Sequence, residues 1–208
     1  MVMTDAGNCK VLEYEENLMN SDVYQSYLNL VRKHNEDEFR ENIWPKLTGE
    51  TLYGYEKINF RGNCMFAVDK KFLGSEEDIE IEDGESNHSY TFFHLGSKLT
   101  GHEGIVHGGL LATLLDELTC RLAFLNLPSH MGVTANLNIN YKKPCPLDSY
   151  ILVKCEVLYK KGRKILVRGN IYKVDLNSVS AVESDKNLLT SGDVLIIEPS
   201  WANKLNHK

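Results

Sequence analysis

Residues 107–142 read HGGLLATLLDELTCRLAFLNLPSHMGVTANLNINYK, and this stretch decides the fold. Leu110, Leu111, Leu114, Leu115, Leu118, Leu122, Phe124 and Leu125 point nearly all round a helix spanning Leu110 to Leu127. A helix apolar on most sides has to be buried on most sides. Asn126 and Pro128 end it. In 133–142 the odd positions are apolar (Val133, Ala135, Leu137, Ile139, Tyr141) and the even ones polar (Thr134, Asn136, Asn138, Asn140, Lys142). That alternation predicts a half-buried strand.

Working outward, Lys143-Pro144-Cys145-Pro146 is a turn. Strands are predicted over 150–159 and 164–174, joined by the hairpin loop Lys160-Lys161-Gly162-Arg163. A polar loop at 177–187 leads to a last strand over 189–198, ended by Pro199. Upstream, short β-prone runs occupy 53–69, and 89–95 reads as a strand. The acidic stretch 75–87 between them is expected to be a solvated hairpin loop, with a lid over a site as the sharper alternative. Residues 21–44 read as helix, capped by Ser21 or Asp22, with Val23, Tyr27, Leu30, Val31 and His34 at helical spacing and Pro45 as its stop. Two strand regions, one buried helix and four strand-like runs make an α+β fold, an antiparallel sheet with a helix on its face. A curved sheet wrapped around one central helix accounts for the all-round apolar pattern. The expected organisation is a helical extension (1–48), the sheet-and-helix domain (49–199) and a loose tail (200–208).

The net charge of −6 argues against general nucleic-acid binding. The five cysteines (Cys9, Cys64, Cys120, Cys145, Cys155) are scattered without a CxxC pair or a Cys/His cluster. Neither a zinc site nor a disulfide framework is expected, which favours a reducing compartment. No apolar run is long enough for a membrane span. The N-terminus carries Asp5, Glu13, Glu15 and Glu16 and lacks the Arg-rich look of a transit peptide. Cytoplasm is the default reading; a matured mitochondrial form would look the same.

Few polar residues interrupt the buried helix: Thr113, Asp116, Glu117, Thr119 and Arg121. Glu117 and Arg121, four apart, can pair. Asp116 has no such basic partner, and a carboxylate among leucines is costly unless it is partnered or faces a cavity. A water-filled or subunit boundary would explain it without chemistry. At the helix start, Gly108-Gly109 leaves amides that lack an intrahelical acceptor, a terminus able to stabilise an oxyanion. Close approach of loop to sheet is the plainer reason for the glycines.

His107-Gly108-Gly109, Asp116 nine residues after the histidine, and Thr134-Ala-Asn-Leu-Asn-Ile-Asn-Tyr-Lys-Lys-Pro together resemble the hotdog-fold thioesterases, in the PaaI-like group that includes the thioesterase superfamily member 4 type. The resemblance covers roughly residues 50–198. It implies a hotdog fold and hydrolysis of acyl-CoA thioesters by homodimers or tetramers, with no cofactor beyond the coenzyme A of the substrate. Asp116 would be the catalytic carboxylate, as general base or nucleophile. The amide of Gly108 or Gly109 would polarise the carbonyl, His107 would orient that loop, and Thr134 would help hold the water. Asn140, Lys142, Arg163, Arg168 and Gly169 match positions that contact CoA. The N-terminal extension and the acidic insertion depart from the family's compact pattern.

Helix geometry bears on the same site. At 1.5 Å per residue, Asp116 lies about 12 Å from its own Gly108, so two antiparallel helices, each lending an amide to one site and a carboxylate to the other, are expected. Seven of the 23 basic residues (Lys142, Lys143, Lys160, Lys161, Arg163, Lys164, Arg168) cluster in two turns and one strand, as a phosphate dock would, or as solvated strand ends would. The rival readings are a non-catalytic acyl-CoA-binding or regulatory hotdog protein, and a hotdog hydratase or dehydratase, since fold alone does not exclude them.

Overall fold

A computed structural model describes residues 5–34, 40–41, 45–178 and 182–202. Two helices come first, α1 (Asp5–Met19) and α2 (Asp22–His34). Strands follow: β1 (Arg40–Glu41), β2 (Ile58–Arg61), β3 (Cys64–Val68), β4 (Ile79–Glu80), β5 (Asn87–Leu95), β6 (Thr100–His102) and β7 (Ile105–Val106), all short but β5. The long helix α3 (Gly108–Asn126) precedes the long strands β8 (Val133–Tyr141), β9 (Ser149–Lys161), β10 (Lys164–Val174) and β11 (Leu188–Ile197). β6 and β7 form a small hairpin, and the other nine strands one sheet. Its path is β1-β3-β5-β9-β10-β11-β8, with β2 beside β5 and β4 beside β9, all antiparallel.

The sheet curves around α3, as its apolar pattern demands. Leu114, Leu115 and Leu122 are fully buried, in one core with Ile151 and Val153 of β9, Ile165 and Val167 of β10, and Val194 and Ile196 of β11. This is the α+β hotdog arrangement. Leu115 rests where two glycines, Gly169 and Gly192, face each other across β10 and β11. A Cβ at Gly169 would meet Leu115 Cδ2 at 2.6 Å and Thr119 Cγ2 at 3.1 Å, and one at Gly192 would meet Leu115 Cδ1 at 3.2 Å. The missing side chains form a trough into which the helix sinks.

The outer face of the sheet is covered by α1 and α2. Leu18, Val23, Tyr24, Leu28 and Val31 pack on Met65, Tyr90, Phe92 and Leu152. β5 is therefore buried on both sides, with Phe93 and Leu95 in the α3 core and Tyr90 and Phe92 under the helices. α1 is further tied down at His94, 2% exposed, whose ring stacks on Tyr14 (centroids 3.7 Å apart) and meets the edge of Tyr150 (4.7 Å). Asn59 Nδ2 donates to His94 Nδ1 at 2.9 Å. Burial pushes the His94 pKa down to about 4.

Three expectations need correction. The helix expected over 21–44 is described as Asp22–His34, and Arg40–Glu41 is not helical but pairs as a strand with Cys64 and Met65; residues 35–39 and 42–44 lie outside the described residues. Among the described residues, the apolar spacing that packs α2 runs from Val23 to Val31. The acidic stretch is no free hairpin loop: Ile79–Glu80 pairs with Lys160 and Tyr159 of β9, and β5 begins at Asn87. Finally, β8 is an edge strand, largely exposed, rather than half buried. Val133 and Tyr141 are 49% and 55% exposed, while Leu137 and Ile139 lean on the core. α1 had no individual signature in the sequence beyond the general expectation of a helical extension.

Two measurements check this packing. The folded-state pKa of His94 lies below its unfolded value of 6.5, so between those values the unfolded chain alone binds the proton. Stability is complete above about pH 6.5 and falls by about 3 kcal/mol as the pH drops to 4. Denaturant titrations at pH 7 and 4.5 should show a loss that shrinks by about 2 kcal/mol in His94→Phe; an unchanged loss would assign it to other groups. Gly169→Ala should cost about 1–3 kcal/mol through overpacking against Leu115, and an alanine tolerated without loss would remove the trough from the account.

Candidate active site

The start of α3 is built by His107. Its backbone is extended, and its Nδ1 accepts from the Gly109 N–H at 2.9 Å, capping the helix. An accepting Nδ1 leaves the proton of the neutral ring on Nε2. A Cβ at Gly109 would lie 2.9 Å from that Nδ1, so this cap requires glycine there. The Gly109 amide is thus occupied. The Gly108 N–H, one residue earlier, has no acceptor among the described residues. Tyr141, at the end of β8, stands over the same turn and donates its hydroxyl to the Gly108 carbonyl at 3.0 Å. His107, Gly108, Tyr141 and Lys142 line a cleft of about 430 Å³ between the β6–β7 hairpin and the turn after β8.

Two turns along α3, Asp116 is half-buried, and Thr134 Oγ1 donates to its Oδ1 at 2.6 Å. That contact depends on an irregularity that the alternating sequence hides. Asn136 pairs with Leu195 and Thr134 with Ile196, so Ala135 is an extra residue in β8, a β-bulge. Without it Thr134 would face away from α3, opposite to Leu137, Ile139 and Tyr141. The bulge brings Thr134 onto the helix side. Cys120, one turn beyond Asp116, lies with its Sγ 3.2 Å from the same Thr134 oxygen.

Glu117 turns to the other flank of the helix, where it accepts from the Thr48 hydroxyl. Burial raises its pKa above the ordinary carboxylate value, against the opposing pull of that hydrogen bond and of Arg121 and Arg61. The sequence reading of Glu117 as a helix-face partner of Arg121 missed Thr48, which no local spacing could reveal.

The structure therefore groups His107, Gly108, Gly109 and Lys142 at one place, and Asp116 with Thr134 at another. The other CoA-contact candidates lie elsewhere. Arg168 forms a two-pronged pair with Asp193, its direct neighbour across β10 and β11 (Nε to Oδ1 2.8 Å, Nη2 to Oδ2 3.1 Å). Arg163 Nη1 donates to the Glu198 carbonyl at 2.9 Å. Gly169 faces Leu115 in the core. Asn140 is exposed on β8, opposite Ser191. The basic hairpin at 160–163 is clasped by the acidic stretch: Lys160 Nζ donates to the Glu77 carbonyl at 2.6 Å, and the Gly162 N–H donates to Asp78 Oδ1 at 2.7 Å. Lys143 Nζ is engaged by the carbonyls of Asp185 and Lys186. Tyr141 and Cys120 were missed in the sequence. The available signals were the aromatic closing the alternating run and the i+4 spacing from Asp116.

Residues 103–180 match the family model described as the thioesterase superfamily. A Candida albicans protein described as uncharacterized and mitochondrial is 34% identical over 125 residues, 60% of this chain and 54% of that protein. MIOREX complex component 3 of Saccharomyces cerevisiae is 42% identical over 120 residues, 55% of this chain and 44% of its own length. The acyl-coenzyme A thioesterase THEM4 of Mus musculus is 36% identical over 108 residues, 52% of this chain and 42% of its own length. The chain spans about half the length of these relatives. Helix α3, strands β8, β9 and β10 and both halves of the candidate site lie within residues 103–180, the part of the chain that is similar to the thioesterase superfamily.

Proposed function

We propose that the chain hydrolyses acyl-CoA thioesters to the free acid and CoA, with Asp116 as general base and the Gly108 N–H as oxyanion donor. The observation that carries this reading is the state of the Asp116 carboxylate. Thr134 holds Oδ1, and Oδ2 has no partner among the described residues, so it can accept from a water molecule. In the reaction Oδ2 takes one proton of that water as its oxygen adds to the thioester carbonyl. The negative charge gathers on the carbonyl oxygen beside the Gly108 amide at the positive end of α3. Collapse breaks the C–S bond, and the CoA thiolate takes the proton back from Asp116. His107 acts through the helix cap, holding the turn that presents Gly108.

Along a regular helix Asp116 stands about 12 Å from Gly108, too far for one thioester carbon to meet both. The reading therefore requires two chains, with α3 helices side by side and antiparallel, so that each site takes its amide from one and its carboxylate from the other. The uncovered edge strand β8, with Val133 and Tyr141 exposed, offers the surface for such a pair. Lys142 in the cleft is the cation we assign to the CoA phosphates; Arg163 and Arg168 have protein partners, and Gly169 has a packing role. The mitochondrial description of the Candida relative supports the mitochondrion over the cytoplasm.

Thiol release from a panel of acyl-CoAs tests the activity. Asp116→Asn should lower kcat by about 10²–10⁴ while leaving the fold intact, because the amide is close in shape to the carboxylate. A variant as fast as the parent would take Asp116 out of the mechanism. The shared site has its own test. Chains carrying Asp116→Asn and chains carrying Gly108→Pro, each checked for folding, should be nearly inactive alone and should regain one intact site per mixed dimer. No recovery in verified mixed dimers would mean that each chain builds its own site.

A further inference from the structure

Helix α3 and the bulged strand β8 together place three side chains in a row, Cys120, Thr134 and Asp116, in which each atom's hydrogen-bonding role can be worked out. Thr134 Oγ1 lies 2.6 Å from Asp116 Oδ1 and 3.2 Å from Cys120 Sγ. A threonine hydroxyl has one proton to give and two lone pairs to accept with. An ionised carboxylate only accepts, and 2.6 Å is within the range of a hydroxyl donating to one. The single proton of Thr134 is therefore spent on Asp116, and the thiol must be the donor in the other contact.

We infer that Cys120 is a positioning residue, whose S–H donates to Thr134 and so fixes the Thr134 hydroxyl on Asp116. The inference rests on the hydrolase reading for its kinetic consequence, but the hydrogen bond itself does not. Burial pushes the Cys120 pKa up to about 11, which keeps the thiol protonated at neutral pH, as a donor has to be. Without the thiol the Thr134 hydroxyl gains a rotamer in which it no longer holds Oδ1. Asp116 could then turn, and the oxygen facing the water would no longer be fixed. The effect belongs to the chemical step rather than to substrate binding, because Asp116 acts on the attacking water and none of the three side chains is assigned to hold the CoA.

The experiment is a double-mutant cycle with a spectroscopic arm. Cys120→Ala should lower kcat by about 2–10-fold, the scale of one neutral hydrogen bond, with KM unchanged. Cys120→Ser, which keeps a donor at the position, should return kcat to within about twofold of the parent. In a Thr134→Val background, Cys120→Ala should have no further effect, since the contact it removes is already gone. In the infrared difference spectrum between parent and Thr134→Val, one S–H stretching band should move to higher frequency, and that band should be absent from Cys120→Ala. Additive effects in the cycle, a fall in kcat that serine does not rescue, or an S–H band unmoved by Thr134→Val would overturn the assignment. A parent chain that releases no thiol from any acyl-CoA would instead sink the hydrolase reading, and the S–H band would still decide the hydrogen bond.

Discussion

A helix that cannot meet water on most of its sides sets the terms for the rest of this molecule. α3 carries leucines nearly all round, and the sheet has to curve far enough to cover them. That requirement explains the paired glycines Gly169 and Gly192, which let Leu115 approach the strands. It also explains why the polar residues of α3 are informative. In a segment so largely enclosed, a charged or hydroxyl group that solvent does not fully reach needs a specific neighbour. Glu117 is served by Thr48, and Asp116 by Thr134.

Strand β8 does the positioning at both parts of the site. Thr134, near the start of the strand, reaches Asp116 in the middle of α3; Tyr141, at its end, reaches the carbonyl of Gly108 at the start of the helix. These two contacts share a face only because Ala135 is inserted as a bulge. A regular strand would present either Thr134 or Tyr141 to the helix, never both. Bulges recur beside functional sites because they re-aim one side chain without disturbing the rest of a strand. The same strand is the uncovered edge of the sheet, so the element that orients the carboxylate is also the one available to a second chain.

Much of the architecture was legible because it depends on periodicity. The all-round leucine pattern of 110–127 and the strands at 133–142 and 164–174 are written in spacing alone. The His107-Gly108-Gly109 turn and Asp116 also stood out, the former by its glycines and the latter as an unpartnered carboxylate in an apolar helix. What escaped notice depends on pairing between distant segments. The alternation in 133–142 is unbroken in sequence, so it concealed the bulge that turns Thr134 inward. The pairing of Arg168 with Asp193 has no local signal, because Asp193 lies on the neighbouring strand. The hairpin at 160–163 read as a phosphate dock or as solvated strand ends; the Glu77 carbonyl and Asp78 carboxylate that engage Lys160 and the Gly162 N–H come from some eighty positions earlier. Charge that looks available in one dimension is often spent in three.

The proposed site places a thioester carbonyl between the Gly108 amide of one chain and the Asp116 carboxylate of another. A crystal structure with an acyl-CoA analogue whose sulfur is replaced by a methylene group tests it most directly, since the carbonyl is retained and cannot be hydrolysed. The carbonyl oxygen should lie about 3 Å from the Gly108 nitrogen, the usual length of an N–H···O hydrogen bond. A water held by Asp116 Oδ2 of a second chain should face the carbonyl carbon, with the phosphates towards Lys142. A carbonyl bound away from Gly108, or a site in which Asp116 of a second chain takes no part, would contradict the account.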